Sequence, residues 1–318
     1  MALMISVGTL CLAEARAISA ASSGIVGFLP VGSRPQSLPR AGSAQVRMNN
    51  RAAERMPELN PWAADSVFAA RGPRSMTTTS DERAPRVDPA DQAFQRRLAQ
   101  RVQIPRAPAL LPARPRVLAL DVQYEGEWGH VGAVLHRAGE NERRYGARVP
   151  VPAEYVPGAF CFREGPVLLA TLAALRARGE TPEVLVIDGH GLAHPRRFGV
   201  ACYVGVGGEV PSIGCAKRTL LRYEGEPGQG RGGKQAVELE GEAVGWVLRT
   251  ATRVKPVYVS PGHLVSLEQA AALVLDLPGK CRVPDPLRTA DQVARRGAKG
   301  ETKGWTDLGT LEPRSLEV

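Results

Sequence analysis

The sequence has few aromatic residues, no closely spaced cysteines and no long apolar run. Aromatic residues make up 5% of the 318 residues, and the five cysteines include no C-x-x-C pair. An odd number of widely spaced cysteines argues against a disulfide framework and favours free thiols in a reducing compartment. No apolar run approaches the length of a membrane span, and the first residues lack the basic start of a secretory signal. We therefore expect a cytoplasmic protein with no membrane partner.

Lysine is also scarce, and the first lysine in the chain is Lys217. The formal net charge of +9 therefore comes mainly from arginine. A basic balance favours a polyanionic partner, nucleic acid above all, although arginine, alanine, glycine and proline also accumulate in proteins of GC-rich genomes. Hydrophobic residues make up 43% of the chain, which is enough for a substantial core.

Composition divides the chain into an arm, a helix with a connector, a folded domain and a flexible tail. These parts are residues 1–80, 81–115, 116–297 and 298–318. The arm is rich in Ala, Ser, Gly, Pro and Arg without sustained periodicity, which predicts disorder; alternatively, translation starts at Met76. The second part holds a predicted helix over 88–102, capped by Asp88 or Asp91, and a Pro-rich, extended connector over 105–115.

Hydrophobic periodicity in the folded domain predicts three early strands followed by alternating helices and strands. The predicted strands are 117–122, 128–136, 143–151, 184–188, 211–216, 244–250 and 256–260. The predicted helices are 164–178, 198–206 and 266–277. Residues 225–233 are glycine-rich and predict a flexible surface loop. This order indicates an α/β fold in which helices flank a mixed sheet.

The most informative segment is VLVIDGHGLAHPRRFG, residues 184–199. Its apolar run is typical of a strand buried on both faces, and Asp188 ends the run where a cleft can begin. Arg196 and Arg197 supply positive charge for an anion. Equally, a strand-end aspartate is often only a turn former. His190 and His194 have the spacing of a zinc pair on a helix, but no H-E-x-x-H glutamate is present and the segment's Gly and Pro oppose a helix.

Three acidic residues are candidates for one site. Asp121 and Asp188 both lie at the ends of predicted strands, and Glu164 begins a predicted helix. If the three carboxylates converge, they repel one another unless a divalent cation lies among them. Hard oxygen ligands favour Mg²⁺ or Mn²⁺ over zinc. Such a site can activate water for phosphodiester hydrolysis.

Five segments in order resemble the motifs of the endonuclease V family. They are LDVQY (120–124), EYVPGAFCFREGP (154–166), DGHGLAHPRRFGVA (188–201), IGCAK (213–217) and VSPGHLVSLEQA (259–270). The similarity runs from about Val117 to Arg296, so it identifies residues 116–297 as the catalytic domain. It implies a ribonuclease-H-like fold and cleavage of DNA near deaminated bases, mainly hypoxanthine, at the second phosphodiester bond on the 3′ side. Some members of the family prefer inosine-containing RNA.

The resemblance assigns roles to individual residues. It implies Asp121, Glu164 and Asp188 as ligands of Mg²⁺, for which Mn²⁺ can substitute, with Lys217 and His263 completing the catalytic set. It implies substrate binding by Tyr155, Gly189, His190, Gly191 and His194. Taken alone, Tyr155 reads as a packed turn residue, Lys217 as a solvated surface lysine and His263 as a loop histidine bonded to backbone.

Recognition of hypoxanthine has a simple physical basis. Backbone groups at 189–191 can bind its carbonyl and ring N–H, and the same groups leave the amino group of adenine unsatisfied. Such a mismatch costs about 1–3 kcal/mol. Two alternatives stay open: a ribonuclease for inosine-containing RNA and a non-catalytic binder of deaminated nucleic acid. The set Asp121, Glu164, Asp188 and Lys217 argues against the binder.

Overall fold

The computed structural model of the protein describes residues 87–316, and the predicted disordered arm, 1–80, lies outside them. The helices are α1 Pro89–Ala99, α2 Phe160–Ala177, α3 Val200–Gly208, α4 Leu267–Asp276 and α5 Asp285–Ala298. The strands are β1 Val117–Glu125, β2 Trp128–His136, β3 Arg143–Pro150, β4 Val184–Ile187, β5 Ser212–Ala216, β6 Lys234–Leu239, β7 Glu242–Leu248, β8 Val257–His263 and β9 Thr306–Thr310. No helix within these described residues is long and apolar enough to cross a membrane.

The nine strands form one mixed sheet in the order β6-β7-β8-β5-β4-β1-β2-β3-β9. β1, β4 and β5 are parallel neighbours in the middle of the sheet, whereas β2, β3, β7 and β8 join it in antiparallel pairs. All residues of β4 and β5 are buried, which explains their continuous apolar sequences. The predicted α/β fold with helices flanking a mixed sheet is confirmed.

Alternating residues of β1 point to the two opposite faces of the sheet. Leu118 and Leu120 pack into the core that includes α1, α2 and α3. Val117 and Ala119 pack into the other core, which includes α4 and α5. Continuing this alternation, Asp121 belongs to the face that α5 covers.

A glycine of β2 and the register of β1 bring α5 close to the sheet. Gly132 of β2 pairs with Asp121 of β1, and a Cβ at Gly132 would lie 1.9 Å from the carbonyl oxygen of Ala290 in α5. The absence of a side chain therefore allows the helix backbone to rest on the strand. On the neighbouring strand, Gly146 of β3, which pairs with Gly132, leaves room for the indole of Trp305.

Most predicted elements are present, with shifted ends. α2 begins at Phe160, before the predicted start at Glu164, and α4 is capped by Ser266, whose hydroxyl accepts a hydrogen bond from the Gln269 N–H. Three elements were not predicted: β6, α5 and β9. The tail predicted as flexible, 298–318, contains β9, which adds a parallel strand to β3.

The predicted flexible loop at 225–233 is held in place by Arg249. Arg249 is 6% exposed, and its Nε donates to the carbonyl of Gly228 (2.8 Å). Its backbone N–H donates to Gly233 and its carbonyl accepts from Gly232, both at 2.8 Å. This set of bonds fixes the loop against β7, so the prediction of a flexible loop was wrong.

Candidate active site

The two predicted aspartates lie side by side towards the carboxyl ends of two central strands. β1 and β4 are parallel, with Leu120 paired to Ile187, so the next residues along the two strands are Asp121 and Asp188. The backbone N–H of Asp188 donates to the carbonyl of Leu120 (3.1 Å). The register of the sheet therefore brings together two carboxylates that are far apart in sequence.

Lys217 directly follows β5, the other neighbour of β4, and its ammonium lies among three carboxylates. Its Nζ donates a hydrogen bond to Asp188 Oδ2 and lies 3.9 Å from both Asp121 Oδ2 and Asp291 Oδ1. Burial lowers the pKa of Lys217, but Asp188 and the other two carboxylates outweigh burial and raise it overall. The lysine is therefore held as a cation in the centre of the site.

Asp291 is the acidic residue of this centre that the sequence reading missed. It lies on α5, and its Oδ2 accepts a hydrogen bond from Nε of Arg295 (2.8 Å). Burial raises the pKa of Asp291, but the hydrogen bond from Arg295 and the charge of Lys217 lower it overall. A signal for the helix was present, because its buried apolar residues follow helical spacing: Leu287, Ala290, Val293 and Ala294.

Glu164 adds a fourth carboxylate from the start of α2, where it is 4% exposed. Burial, and then the charges of Asp121 and Asp188, raise the pKa of Glu164 well above its usual range. Burial and Asp188 likewise raise the pKa of Asp121. Buried acids that repel one another form a centre that a cation would stabilise.

The donor atoms suit a hard divalent cation. Asp121 Oδ2 is buried and accepts no hydrogen bond, as expected of an oxygen available for coordination. Carboxylate oxygens are the ligands that Mg²⁺ and Mn²⁺ prefer. Within residues 87–316, however, no group of three or more His, Cys, Asp or Glu side chains is arranged to hold an ion as it stands. The Lys217 ammonium supplies positive charge here, so a metal ion would have to displace it from Asp188.

The acidic centre opens into a cleft of about 550 Å³. Eight of the predicted site residues line it: Asp121, Tyr155, Glu164, Asp188, Gly189, His190, His194 and Lys217. Gly191 and His263 are not part of its wall. Three arginines that the sequence analysis did not single out, Arg163, Arg218 and Arg295, also line the cleft.

Tyr155 stands at the rim of the cleft on a loop that ends in a tight turn. The side chain is 57% exposed, and its ring packs edge-on against Phe160 with centroids 5.9 Å apart. Residues 156–159 form a type II turn, in which the Ala159 N–H donates to the first carbonyl (2.9 Å) and Gly158 has φ +84°. The V-P-G-A sequence thus accounts for the turn, and Tyr155 remains largely exposed beside it.

His194 and Arg196 both bind this turn. His194 Nε2 lies 3.1 Å from the Gly158 carbonyl oxygen, and Nδ1 accepts from the backbone N–H of Arg196 (3.2 Å). Burial, aided by the charge of Arg196, lowers the pKa of His194 to about 3, so the ring is neutral. The guanidinium of Arg196 donates to the same Gly158 carbonyl (2.5 Å). Both ring nitrogens and the guanidinium are therefore engaged within the protein.

Arg197 points to a different element. Its Nη1 donates to Glu242 Oε2 (2.6 Å) and its Nη2 to the Leu239 carbonyl (3.1 Å), so it fastens the hairpin of β6 and β7. The prediction that Arg196 and Arg197 provide charge for a bound anion was therefore wrong. Their charges are used to hold two neighbouring parts of the chain.

The glycines after Asp188 differ in their roles. The Gly191 N–H donates to Ser260 Oγ (2.9 Å), and its carbonyl accepts from the Gly199 N–H (3.0 Å). A Cβ at Gly191 would lie 2.2 Å from the Pro261 carbonyl oxygen. The predicted substrate contact through Gly191 was therefore wrong, because its N–H is bonded to β8 and its carbonyl to Gly199. Gly189, by contrast, remains in the wall of the cleft.

His190 lines the cleft, but most of its ring is buried, and the ring is hydrogen-bonded to the backbone of Arg218. The His190 carbonyl accepts from the Ala201 N–H (3.0 Å), but its Nδ1 is buried without a hydrogen-bond partner. Burial lowers the pKa of His190 to about 4, so the imidazole is neutral at physiological pH.

His263 lies at the opposite end of the strands from the acids. β8 is antiparallel to β5, and it places His263 opposite Ser212 and Tyr258 opposite Ala216. The acidic centre lies beyond Ala216, so about 13 Å of strand separates it from His263. His263 Nδ1 accepts from the backbone N–H of Gln103 (3.1 Å). The predicted catalytic role of His263 was wrong, and it is a histidine bonded to backbone.

Comparison with known proteins links the chain to one family. The sequence model of the Endonuclease V family matches residues 96–292, from α1 to α5. Endonuclease V of Xanthomonas campestris pv. campestris (strain B100) is 42% identical over 211 residues, which are 64% of this chain and 86% of that protein.

Solved structures show the same relationship. Endonuclease V of Streptomyces avermitilis is 38% identical with a TM-score of 0.61, covering 68% of this chain and 95% of that one. Human endonuclease V is 31% identical with a TM-score of 0.59, covering 66% and 98%. Endonuclease V of Ciona intestinalis, in complex with a 24mer DNA containing an inosine followed by a ribo-adenosine, is 25% identical with a TM-score of 0.59, covering 65% and 96%. The sequence and the fold of this chain together place it in the endonuclease V family.

Proposed function

We propose that this protein is an endonuclease that cuts DNA close to a deaminated base, hypoxanthine, with the help of a divalent cation. The observation that carries the proposal is the group of Asp121, Asp188 and Asp291 around Lys217, beside the buried Glu164. The substrate is chosen on the family of the chain and on the inosine-containing DNA bound by the Ciona relative. We place the cut at the second phosphodiester bond on the 3′ side, as the resemblance implies.

Asp121, Asp188 and Glu164 would hold the cation, and Asp291 borders the same centre. Bound Mg²⁺, or Mn²⁺ in its place, supplies charge stabilisation at the cleaved phosphate and lowers the pKa of an attacking water. Burial and then repulsion by neighbouring carboxylates raise the pKa values of Asp121 and Glu164, and a bound cation would relieve the repulsion. Both side chains would act as ionised carboxylates.

Lys217 would exchange one anionic partner for another. Once Asp188 no longer accepts its hydrogen bond, the ammonium can donate to a phosphate oxygen, and a charge-assisted bond of this kind is among the stronger ones in proteins. The surrounding carboxylates raise the pKa of Lys217 against the effect of burial, so it stays charged at neutral pH. It would therefore hold the strand at the bond to be broken.

Base recognition would take place at the other end of the cleft, below Tyr155. An extruded base leaves a gap in the duplex that an exposed aromatic ring can fill, and a damaged pair is extruded more cheaply than an intact one. Gly189 and His190 line the part of the cleft that would receive the base. A pocket matched to hypoxanthine leaves adenine with an unsatisfied polar group, which costs about 1–3 kcal/mol, or roughly tenfold to a hundredfold in binding.

A nicking assay tests the proposal. Matched DNA and RNA strands, each with a single hypoxanthine, are incubated with the full chain with and without Mg²⁺. We expect one nick in the DNA, dependent on Mg²⁺ and absent for Asp188→Asn. Asp307→Asn is the matched control, because Asp307 is exposed on β9 at the edge of the sheet.

The two substrates separate the possible outcomes. Cleavage of the RNA strand alone would replace the proposed substrate with inosine-containing RNA. Binding without cleavage of either strand would make the protein a binder of deaminated nucleic acid. Full activity of Asp188→Asn would remove the acidic centre from the reaction.

A further inference from the structure

The loop that carries Tyr155 is tied down at both ends, although Tyr155 itself is exposed. At its start, Nη1 of Arg163 donates to the Ala153 carbonyl (3.0 Å). At its end, the Gly158 carbonyl accepts from Arg196 (2.5 Å) and lies 3.1 Å from His194 Nε2. A carbonyl oxygen has two lone pairs, so two donors satisfy it fully. Hydrogen bonds therefore hold the loop at both ends in the free protein.

Arg196 is itself braced by a residue from outside the sheet. Its Nε donates to Oε1 of Gln95 in α1 (2.5 Å). The other end of the same amide donates to the Phe198 carbonyl (2.6 Å). A continuous line of hydrogen bonds thus runs from α1, through Gln95 and Arg196, to the carbonyl of Gly158.

The chemistry of these two side chains is specific for this arrangement. Gln95 is 0% exposed, and a buried amide is unfavourable unless its donor and acceptor are both satisfied. The planar guanidinium presents donors in two directions, so Arg196 can reach Gln95 and Gly158 at once, whereas a lysine ammonium on a flexible stem would lose one of the two contacts. The Gln95 amide nitrogen also lies 3.4 Å from Sγ of Cys161 in α2, so its amide is bonded on every side.

We propose that Gln95 and Arg196 are positioning residues for lesion recognition, which hold Tyr155 at the rim of the cleft where its ring can enter a duplex. Neither residue contacts the substrate directly, because both act through the backbone of Gly158. The proposal rests on the proposed function, since it takes Tyr155 to be the residue that fills the gap left by an extruded base. It makes α1, which precedes the sheet, a part of the recognition apparatus.

The chain offers a matched control for each variant. Arg196→Met is compared with Arg197→Met, because Arg197 is the next residue and binds the hairpin of β6 and β7 instead. Gln95→Leu is compared with Gln92→Leu in the same helix, because Gln92 donates to the Val87 carbonyl and not to Arg196. Arg196→Lys keeps the charge but can supply only part of the contacts.

Two measurements on the full chain test the proposal. The first is amide hydrogen exchange over residues 153–159 in the free protein, where the Ala159 N–H reports on the turn. The second is the ratio of dissociation constants for duplexes with and without one hypoxanthine, measured without a divalent cation. We expect Arg196→Met and Gln95→Leu to speed exchange and to lower the preference for hypoxanthine about tenfold. Arg197→Met and Gln92→Leu should change neither quantity, and Arg196→Lys should be intermediate.

The outcomes distinguish this proposal from the proposed function. Wild-type exchange and wild-type preference in folded Arg196→Met would overturn it, as would faster exchange with an unchanged preference. If Arg196→Met does not fold, the same criteria apply to Arg196→Lys. If the wild-type protein shows no preference for hypoxanthine, both the proposed function and the assigned role in recognition are overturned. In that case, faster exchange in the variants would still establish that Arg196 and Gln95 fix the loop.

Discussion

Among the single residues of the site, Lys217 lies where a metal ion is expected to act. Its ammonium is bonded to Asp188 and faces Asp121 and Asp291. One positive group therefore neutralises carboxylates that would otherwise repel one another. A cation and Lys217 cannot both occupy this position, so the two compete.

Lys217→Met should separate metal binding from catalysis. We expect tighter Mn²⁺ binding, because the competing ammonium is gone, and cleavage slower by about a hundredfold, the usual loss when a group that stabilises the transition state is removed. Calorimetric titration with Mn²⁺ and single-turnover cleavage measure the two effects. Lys234→Met is the control, since Lys234 pairs with Glu268. Weaker Mn²⁺ binding by Lys217→Met would contradict competition.

Asp291 lies at the acidic centre and His263 lies away from it, so substitutions at the two residues should affect cleavage differently. Asp291→Asn should slow cleavage about a hundredfold or more, because it removes a carboxylate beside the acidic centre. His263→Gln should cut at the wild-type rate, because its Nδ1 faces the backbone of Gln103. Cleavage under saturating Mg²⁺ measures both. A large loss for His263→Gln with an unchanged melting temperature would return His263 to the site.

His194 predicts a dependence of stability on pH. The ordinary pKa is 6.5, and burial lowers the pKa of the folded residue to about 3. Below pH 6.5 the unfolded chain binds a proton that the folded chain does not. The stabilisation is therefore complete above pH 6.5 and is lost as the pH falls towards 3, by at most about 1.4 kcal/mol per pH unit.

Urea unfolding at pH 7 and pH 4.5 measures this effect. His194→Asn removes the titrating group, so its free energy of unfolding should fall less between the two pH values than that of the wild type. His190, with a pKa lowered to about 4, contributes to both proteins in the same direction. An equal fall in the two proteins would show that His194 does not titrate in this way.

Among the secondary-structure elements, α5 has the largest influence on the site, because it carries Asp291. The helix backbone reaches β2 only because residue 132 is glycine. Its apolar spacing was readable in the sequence, but the spacing does not tell which strand the helix packs against. By contrast, β9 has almost no apolar pattern, since four of its five residues are exposed, so only its pairing with β3 reveals it.

Gly132→Ala should move α5 away from the sheet. The new Cβ would lie 1.9 Å from the Ala290 carbonyl oxygen, and relief of such overpacking costs about 1–3 kcal/mol. Since Asp291 moves with the helix, cleavage should fall further than the lost stability explains. Gly230→Ala is the control, because a Cβ there meets nothing within 4 Å. Wild-type cleavage by folded Gly132→Ala would show that the docking of α5 is not critical.

For the whole molecule, the net charge of +9 predicts strong, salt-dependent binding to plain duplex. Each phosphate neutralised by a lysine or arginine adds about 0.9 to the slope of log affinity against log salt concentration. If the basic arm takes part, deletion of residues 1–75 should lower this slope, which titrations at several salt concentrations measure. An unchanged slope would assign the binding charges to the rest of the chain.

The amino-acid sequence by itself determined most of the strands and helices, apart from β6, α5 and β9, and the acids that lie near the ends of two buried strands. It identified Asp121, Glu164, Asp188, Lys217 and Tyr155, all of which line one cleft. These properties are local, because apolar periodicity, turns and motifs depend on residues that are close together in the sequence. The resemblance that they carry agrees with the family to which the chain belongs.

Only the tertiary structure decided which side chains meet. The antiparallel direction of β8 carries His263 away from the acids, and the packing of α5 on Gly132 brings Asp291 to them. The same structure directs Arg196 to Gly158 and Arg197 to Glu242. The physical reason is that the direction of strand pairing and the docking of a helix depend on distant parts of the chain, whereas the spacing of residues within one element does not.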